Sequence, residues 1–375
     1  MKKILKKIFP LKFKDYWDKH KNSKNYDKTL KFITENFINS KSYKFVSNQW
    51  HLLNINDFES LKNNGLEKYG SEISTHYFTF LDYEDEHIKN LYNNFDNQKI
   101  IDCRINIFKK HNNLNLKTSV TYNMLCLLLF ENLKLSNCFK HLKNLDNKTY
   151  CGFDHPFVQI DDYKISSDKI ISLFDFEKIN NFYNLSEKDK VLEIGAGSGR
   201  LCECILSITP NINYTICDIP PSIYIAYERM KLRFPQKKIK LLIDIDNLDD
   251  LNNEIKKNDI SFIFPHQIEI IKEKFFDLGI AVDCLHEMDK KTLEYYFNNL
   301  NHSTNNFYFS IWKRTINWES GTLFKKTENL DFEKGDYSIP KNWKKVHQKN
   351  LEFPSKKELD LTNTKSDVMV SSEFN

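Results

Sequence analysis

With 375 residues, 40% of them hydrophobic and 28% charged, the chain is long enough for two domains and too apolar for wholesale disorder. A net charge of +4 without a basic stripe argues against a dedicated nucleic-acid binder, so no nucleic-acid partner is expected. Eight cysteines with no CxxC pair argue against a zinc ribbon or a dithiol redox motif and point to a reducing, cytoplasmic compartment.

The first run, MKKILKKIFPLKFK, holds six lysines and no acid. It lacks the roughly 7–15-residue apolar region of a signal peptide. Ile4, Leu5, Ile8 and Phe9 fall at helical spacing, which makes the run a candidate for peripheral contact with an anionic inner-membrane surface. A frayed, solvated terminus is the plainer reading. Residues 1–150 read as a mostly helical domain, with apolar positions three and four apart, as at Leu30, Phe32, Ile33, Phe37 and Ile38. No run reaches the roughly 18 apolar residues needed to span a bilayer, and the stretch 124–130 is expected to be a buried helix. Cys126 and Cys217 sit in apolar runs and are expected to be buried.

Residues 151–187 form a Pro- and Asp-containing connector that runs into a helix. From 188 to 315 short β-type runs alternate with helical ones. Strands are expected at 190–194, 214–217, 239–243, 260–264, 278–282 and 307–311, and helices at 199–207, 221–233 and 290–300. The alternation predicts an α/β fold with a doubly wound parallel sheet. Residues 316–375 are expected to form a C-terminal cover that includes Trp343, followed by a loose polar tail from 355.

The motif VLEIGAGSGR places Gly195, Gly197 and Gly199 after an apolar strand. Glycines let the backbone turn sharply and let a ligand approach, and the following helix offers free N–H groups. The dinucleotide fingerprint G-x-G-x-x-G/A fails, because its sixth position is Arg200. The spacing from Glu193 through the three glycines instead resembles motif I of class I methyltransferases. That resemblance implies that Glu193 meets the amino group of a methionine moiety and that Gly195, Ala196, Gly197 and Gly199 line the cofactor. In YTICDIPPSIYIAYERM, Asp218 ends the next strand, and a carboxylate there can accept hydrogen bonds from both hydroxyls of a ribose. Ile219 completes the expected cofactor contacts. A helix N-cap is the structural alternative for Asp218.

The third motif, FDLGIAVDCLHEMDKKT, runs a strand into a loop bearing Asp283, His286 and Glu287. In a doubly wound sheet ligands bind beyond the carboxyl ends of the strands. His286 is the candidate base for a hydroxyl acceptor, with Glu287 or Asp283 to orient it. Asp244 and Asp246 follow one strand-like run, and Pro265, His266 and Gln267 follow another. Either loop is placed to contact a nucleobase, and Asp246 is also a candidate helix cap. Trp312, Lys313 and Arg314 are candidates for sugar or phosphate contact. His266, His286 and Glu287 show no zinc spacing, so no metal is expected. Cys202 and Cys204 read as helix residues, one or both buried.

Taken in order, EIGAGSGR, CDIPPSIYIA, FIFPHQIEII, FDLGIAVDCLHEM, NNFYFSIWKR and DYSIPKNW resemble the bacterial sugar O-methyltransferases often encoded with surface-polysaccharide genes. The resemblance covers residues 150–350, including HPFVQIDDYKISSD. It implies a class I methyltransferase fold, S-adenosylmethionine (SAM) as cofactor, and a sugar or glycoconjugate hydroxyl as acceptor. The LHEM loop also resembles that of plant small-molecule O-methyltransferases, where the matching histidine is the base. A methyltransferase for another small molecule, an NAD-type binder and a non-catalytic protein are the alternatives. A nucleic-acid or protein N-methyltransferase is disfavoured, because 283–286 lacks an Asn/Asp-Pro-Pro-aromatic loop.

Overall fold

Three helices open the described N-terminal region, and the second starts on a polar cap. α1 spans Phe13–His20, α2 Lys28–Asn39 and α3 Asn48–Asn64. The Asp27 carboxylate accepts the Leu30 N–H at 2.7 Å to begin α2. The stripe expected on α2 is present: Leu30, Ile33 and Phe37 are buried, Ile38 is half-buried and Phe32 is exposed. The rings of Phe13, Trp17 and Tyr26 pack around Phe58 and join α1 to α3. α4 (Leu116–Leu133) contains the apolar 124–130 stretch, and Cys126, Leu127 and Phe130 are buried there. In this computed structural model the described residues are 12–46, 48–69, 107–111, 114–145, 156–312, 340, 343–351 and 365–371. For His286, Ile311, Trp312 and the strands after residue 343 only the backbone is described. The Lys-rich N-terminal run up to residue 11, Lys313 and Arg314 lie outside the described residues. No helix among them is long and apolar enough to cross a membrane.

A short antiparallel ribbon, β1 (Val158–Ile160) and β2 (Tyr163–Ile165), leads into α5 (Ser167–Tyr183). β3 (Lys190–Ile194), α6 (Arg200–Ile208), β4 (Asn213–Cys217) and α7 (Ser222–Arg233) follow. β5 (Ile239–Leu241), α8 (Leu248–Lys257), β6 (Ile260–Ile263), β7 (Phe276–Val282), α9 (Lys290–Ser303) and β8 (Thr304–Trp312) complete the alternation. These six strands are parallel, and β9 (Lys344–Leu351) and β10 (Lys365–Ser371) extend the sheet. The strand order is β5-β6-β4-β3-β7-β8-β10-β9, with β10 antiparallel to both neighbours. Both faces of the central strands are covered: Val191 packs into one apolar cluster, Leu192 and Ile194 into the other. This explains the near-continuous apolar runs of a doubly wound sheet. The order reverses at β3, where β4 lies on one side and β7 on the other. That switch point is where such sheets bind ligands.

The sequence left open which run lies beside β4; it is β6, and the 239–241 run is the sheet edge. The structure departs from the sequence reading in three places. Helix α8 is capped by Asn247, whose side chain accepts the Asp250 N–H at 2.8 Å, so Asp246 is not the cap. The tail expected to be loose contains β10, paired by backbone hydrogen bonds between β8 and β9. Trp343 is buried against Phe307 with ring centroids 5.7 Å apart; it packs in the core under the sheet and is not part of a cover over the site.

The N-terminal helices dock on the carboxyl side of the sheet. Tyr224 of α7 donates to Asp27 at 2.7 Å, and Phe37 packs on Phe264 just beyond β6. One apolar cluster includes residues of α1, α2, α4, α5, β3 and β4.

Candidate active site

β3 ends at Ile194 and the chain turns through Gly195, Gly197 and Gly199, with φ of 66°, 59° and 76°. All three adopt the left-handed conformation that L side chains avoid. Their surroundings differ. A Cβ built at Gly195 meets Cys284 Cβ at 2.7 Å, so this glycine admits the loop that follows β7. A Cβ built at Gly197 meets nothing within 4 Å, so the turn faces open space at that point. Gly195→Ala is expected to lose about 2 kcal/mol of stability, from left-handed strain and the clash with Cys284, and thermal or urea unfolding measures it.

Asp218 follows β4 and reaches across to the turn. Its Oδ2 accepts the Gly197 N–H at 2.8 Å and its Oδ1 accepts the Ile219 N–H at 2.7 Å. Burial pushes this carboxyl up to about 7, against the pull of those two hydrogen bonds. The N-cap position of α7 is Pro221, without a side-chain cap, so Asp218 does not cap that helix. Each carboxylate oxygen keeps a second lone pair for a ligand donor. Ala196 is buried and Ile219 half-buried beside it. Glu193 lies beneath the turn, 3% exposed, where Tyr214 of β4 donates to its Oε2 at 2.7 Å. Burial pushes Glu193 up to about 7, while Tyr214 and the charge of Arg200 pull it down.

The third wall is the loop after β7. Asp283 has a left-handed φ of 58°, and its N–H donates to Ser310 O of β8 at 3.0 Å. Cys284 Sγ donates to Ile194 O at 3.2 Å, closing the loop onto the end of β3. Residues Leu285–Glu287 form a 3₁₀ turn. Glu287 is half-buried, and desolvation together with the nearby Asp283 charge pushes it up to about 8. The His286 backbone lies in this turn; its side chain is outside the described residues.

Gln267 is a buried structural brace. It donates to Leu242 O and Ile245 O at 2.7 and 2.8 Å and accepts the Phe264 N–H. His266 follows the strand beside β4, so its loop adjoins Asp218, and its Nε2 lies 3.5 Å from Oδ1 of Asp246, which follows the edge strand. Ser42 Oγ lies 2.8 Å from His266 Nδ1 and accepts the His266 N–H, which pins the N-terminal segment to the rim. Burial pushes His266 down.

The sequence reading missed Arg200 as a structural hub. Its Nη1 lies 3.0 Å from both Asp175 Oδ2 and Ser172 Oγ of α5, and its Nη2 lies 3.6 Å from Asp283 Oδ2. A cation in the first residue of a helix opposes the helix dipole. That placement was the available signal that buried acids surround it.

Three adjacent parallel strands therefore bring a glycine turn, a carboxylate acceptor and an acid-bearing loop to one edge of the sheet. The order β5-β6-β4-β3-β7-β8-β10-β9, with β5 as an added edge strand and the antiparallel strand next to last, decides the fold class. This is the class I methyltransferase fold, Rossmann-like and doubly wound. No protein-family model and no curated protein matches the sequence. Solved structures similar to it include a protein from Pyrococcus horikoshii, at 13% identity and TM-score 0.37 over 54% of this chain and 88% of that one. Another is a SAM-dependent methyltransferase from Aquifex aeolicus, at 14% identity and TM-score 0.33 over 53% and 90%. A third is an arsenic(III) SAM methyltransferase from Chlamydomonas reinhardtii, at 13% identity and TM-score 0.30 over 49% and 63%.

Proposed function

We propose that the protein is a SAM-dependent O-methyltransferase that methylates a sugar hydroxyl, in the assembly of a surface polysaccharide. The observation that carries the cofactor reading is the open face of Gly197 beside the Asp218 carboxylate. A ligand approaches the backbone there without meeting a side chain, and Asp218 retains lone pairs for the two hydroxyls of a ribose. Free N–H groups at the start of α6 suit the carboxylate of the methionyl group. Glu193 adds negative charge under the turn, which suits its ammonium. When bound, SAM supplies a methyl group on a sulfonium that is already a good leaving group. The chain's own work is to position the acceptor and to take its proton. Glu287, pushed up to about 8, is poised near neutral pH for proton exchange, and His286 shares its turn. The sugar acceptor rests on the resemblance described above, of which CDIPPSIYIA is the most distinctive piece, with a nucleotide, lipid or polymer carrier.

The cofactor reading has a pH signature. Asp218 in the free protein holds its proton up to about 7, and ribose donors favour the ionised form. Binding then releases a proton below that point, so affinity rises with pH and levels off above it. A single group of this kind makes S-adenosylhomocysteine (SAH) bind about tenfold more tightly at pH 8 than at pH 6. Calorimetry in buffers of different ionisation enthalpy reads both the affinity and the proton release.

The test of the function is a melting-temperature comparison followed by a transfer assay. SAM and SAH are expected to raise the melting temperature, and NAD to leave it unchanged. A rise with NAD and none with SAM overturns the cofactor. Labelled SAM offered sugar nucleotides and surface-glycan extracts is expected to label a glycan; label confined to other small molecules overturns the acceptor.

A further inference from the structure

Arg200 joins three parts of the molecule. It is the first residue of α6, directly after the glycine turn. Its guanidinium is largely buried and grips Asp175, a 1%-exposed acid on α5, together with Ser172. The same guanidinium reaches Asp283, whose left-handed backbone turns the chain into the 3₁₀ turn bearing Glu287. The anchor side is well packed: α5 and α6 share one apolar cluster, and Asp175 of α5 is buried. The Asp283 side is a loop held by its own N–H to Ser310 and by the thiol of Cys284. A planar fork suits this bridging, because its donors address two carboxylates at once from fixed angles.

We propose that Arg200 is a positioning residue for methyl transfer: anchored on Asp175, it holds Asp283 and sets the loop that presents Glu287 against the cofactor turn. The proposal rests on the methyltransferase reading of the site. It makes the seating of the loop depend on the helix that starts at the cofactor turn, so the two substrates share one reference point. Arg200 is faced by Asp175 and Asp168 of α5, Asp283 of the loop, Glu193 of β3 and Cys204 of its own helix. Glu193 is faced in turn by Tyr214, Arg200, Asp218, Asp175, Cys202 and Cys284.

The experiment compares the full chain with Arg200→Met, Arg200→Lys and Asp175→Asn, using hydrogen exchange and SAH calorimetry. In Arg200→Met, amides of 283–288 are expected to exchange at least about tenfold faster, while those of 190–194 and 213–217 keep their protection. A second pH limb of SAH binding, that of Glu193 beneath the methionyl ammonium, is expected to move upward in Arg200→Met, because Glu193 loses the cation that holds it down. Arg200→Lys keeps the charge without the fork, so its pH limb stays in place while its loop exchanges fast. A merely structural residue would not separate those two readouts. Asp175→Asn is expected to speed loop exchange in the same direction by a smaller factor, and it decides the matter if Arg200→Met does not fold. Unchanged loop exchange in the folded variants, or equal acceleration across β3 and β4, overturns the proposal. Failure of the unaltered chain to bind SAH overturns the methyltransferase reading, and intact SAH binding with an unchanged loop overturns only the role of Arg200.

Discussion

Asp218→Ala is expected to bind SAM and SAH about 10²-fold more weakly while the sheet stays folded. Two charge-assisted hydrogen bonds to a ribose, at about 1.5 kcal/mol or more each, set the scale. A second loss adds to it. Without the carboxylate, the N–H groups of Gly197 and Ile219 lose their common acceptor, and the turn loses its link to β4. The fold is expected to survive, because the core under this edge consists of apolar side chains such as Leu192, Ile194, Ile216 and Cys217. A carboxyl pushed up to about 7 by burial is also one whose removal relieves a desolvation cost. Calorimetry with SAH, alongside a thermal melt, separates affinity from stability. An affinity equal to that of the unaltered chain would remove Asp218 from the ribose site.

Replacing the proton acceptor is expected to have the larger effect on turnover. The side chain that takes the acceptor's proton contributes roughly 10²–10⁴-fold to the rate. His286→Ala and Glu287→Gln, assayed side by side with the glycan acceptor, assign that role. The variant that loses turnover in this range while SAH binding holds identifies the base. Glu287→Gln removes the titratable proton without changing the size of a half-buried group, so a loss there reports on proton chemistry. Full turnover in both variants would take the 285–287 turn out of the mechanism.

The cofactor side of the site was legible in the sequence, and the acceptor side only in part. Glu193, the glycines and Asp218 lie within one strand–turn–helix–strand unit, where local spacing carries the geometry. Arg200 was visible only as the residue that spoils a fingerprint, because its partners Asp175 and Asp283 belong to distant elements. The strand beside β4 was ambiguous because 239–243 and 260–264 are both short apolar runs. Burial separates them, since every residue of β6 is buried while Lys240 of β5 is exposed. β10 was missed because polar composition masked it, and what places it in the sheet is backbone pairing with β8 and β9. Ser42 and His266 show the same limit: 224 positions apart in sequence, they meet at 2.8 Å.

The placement of β10 has a bearing on biogenesis. During translation β8 and β9 are both made before the strand that separates them in the finished sheet. Until residues 365–371 leave the ribosome, β8 presents a long unpaired edge built from the run NNFYFSIW. Nascent or truncated chains that stop short of that segment are therefore the species in most need of a chaperone. A reporter fused after residue 360 would yield inclusion bodies where the same fusion after residue 375 yields soluble protein.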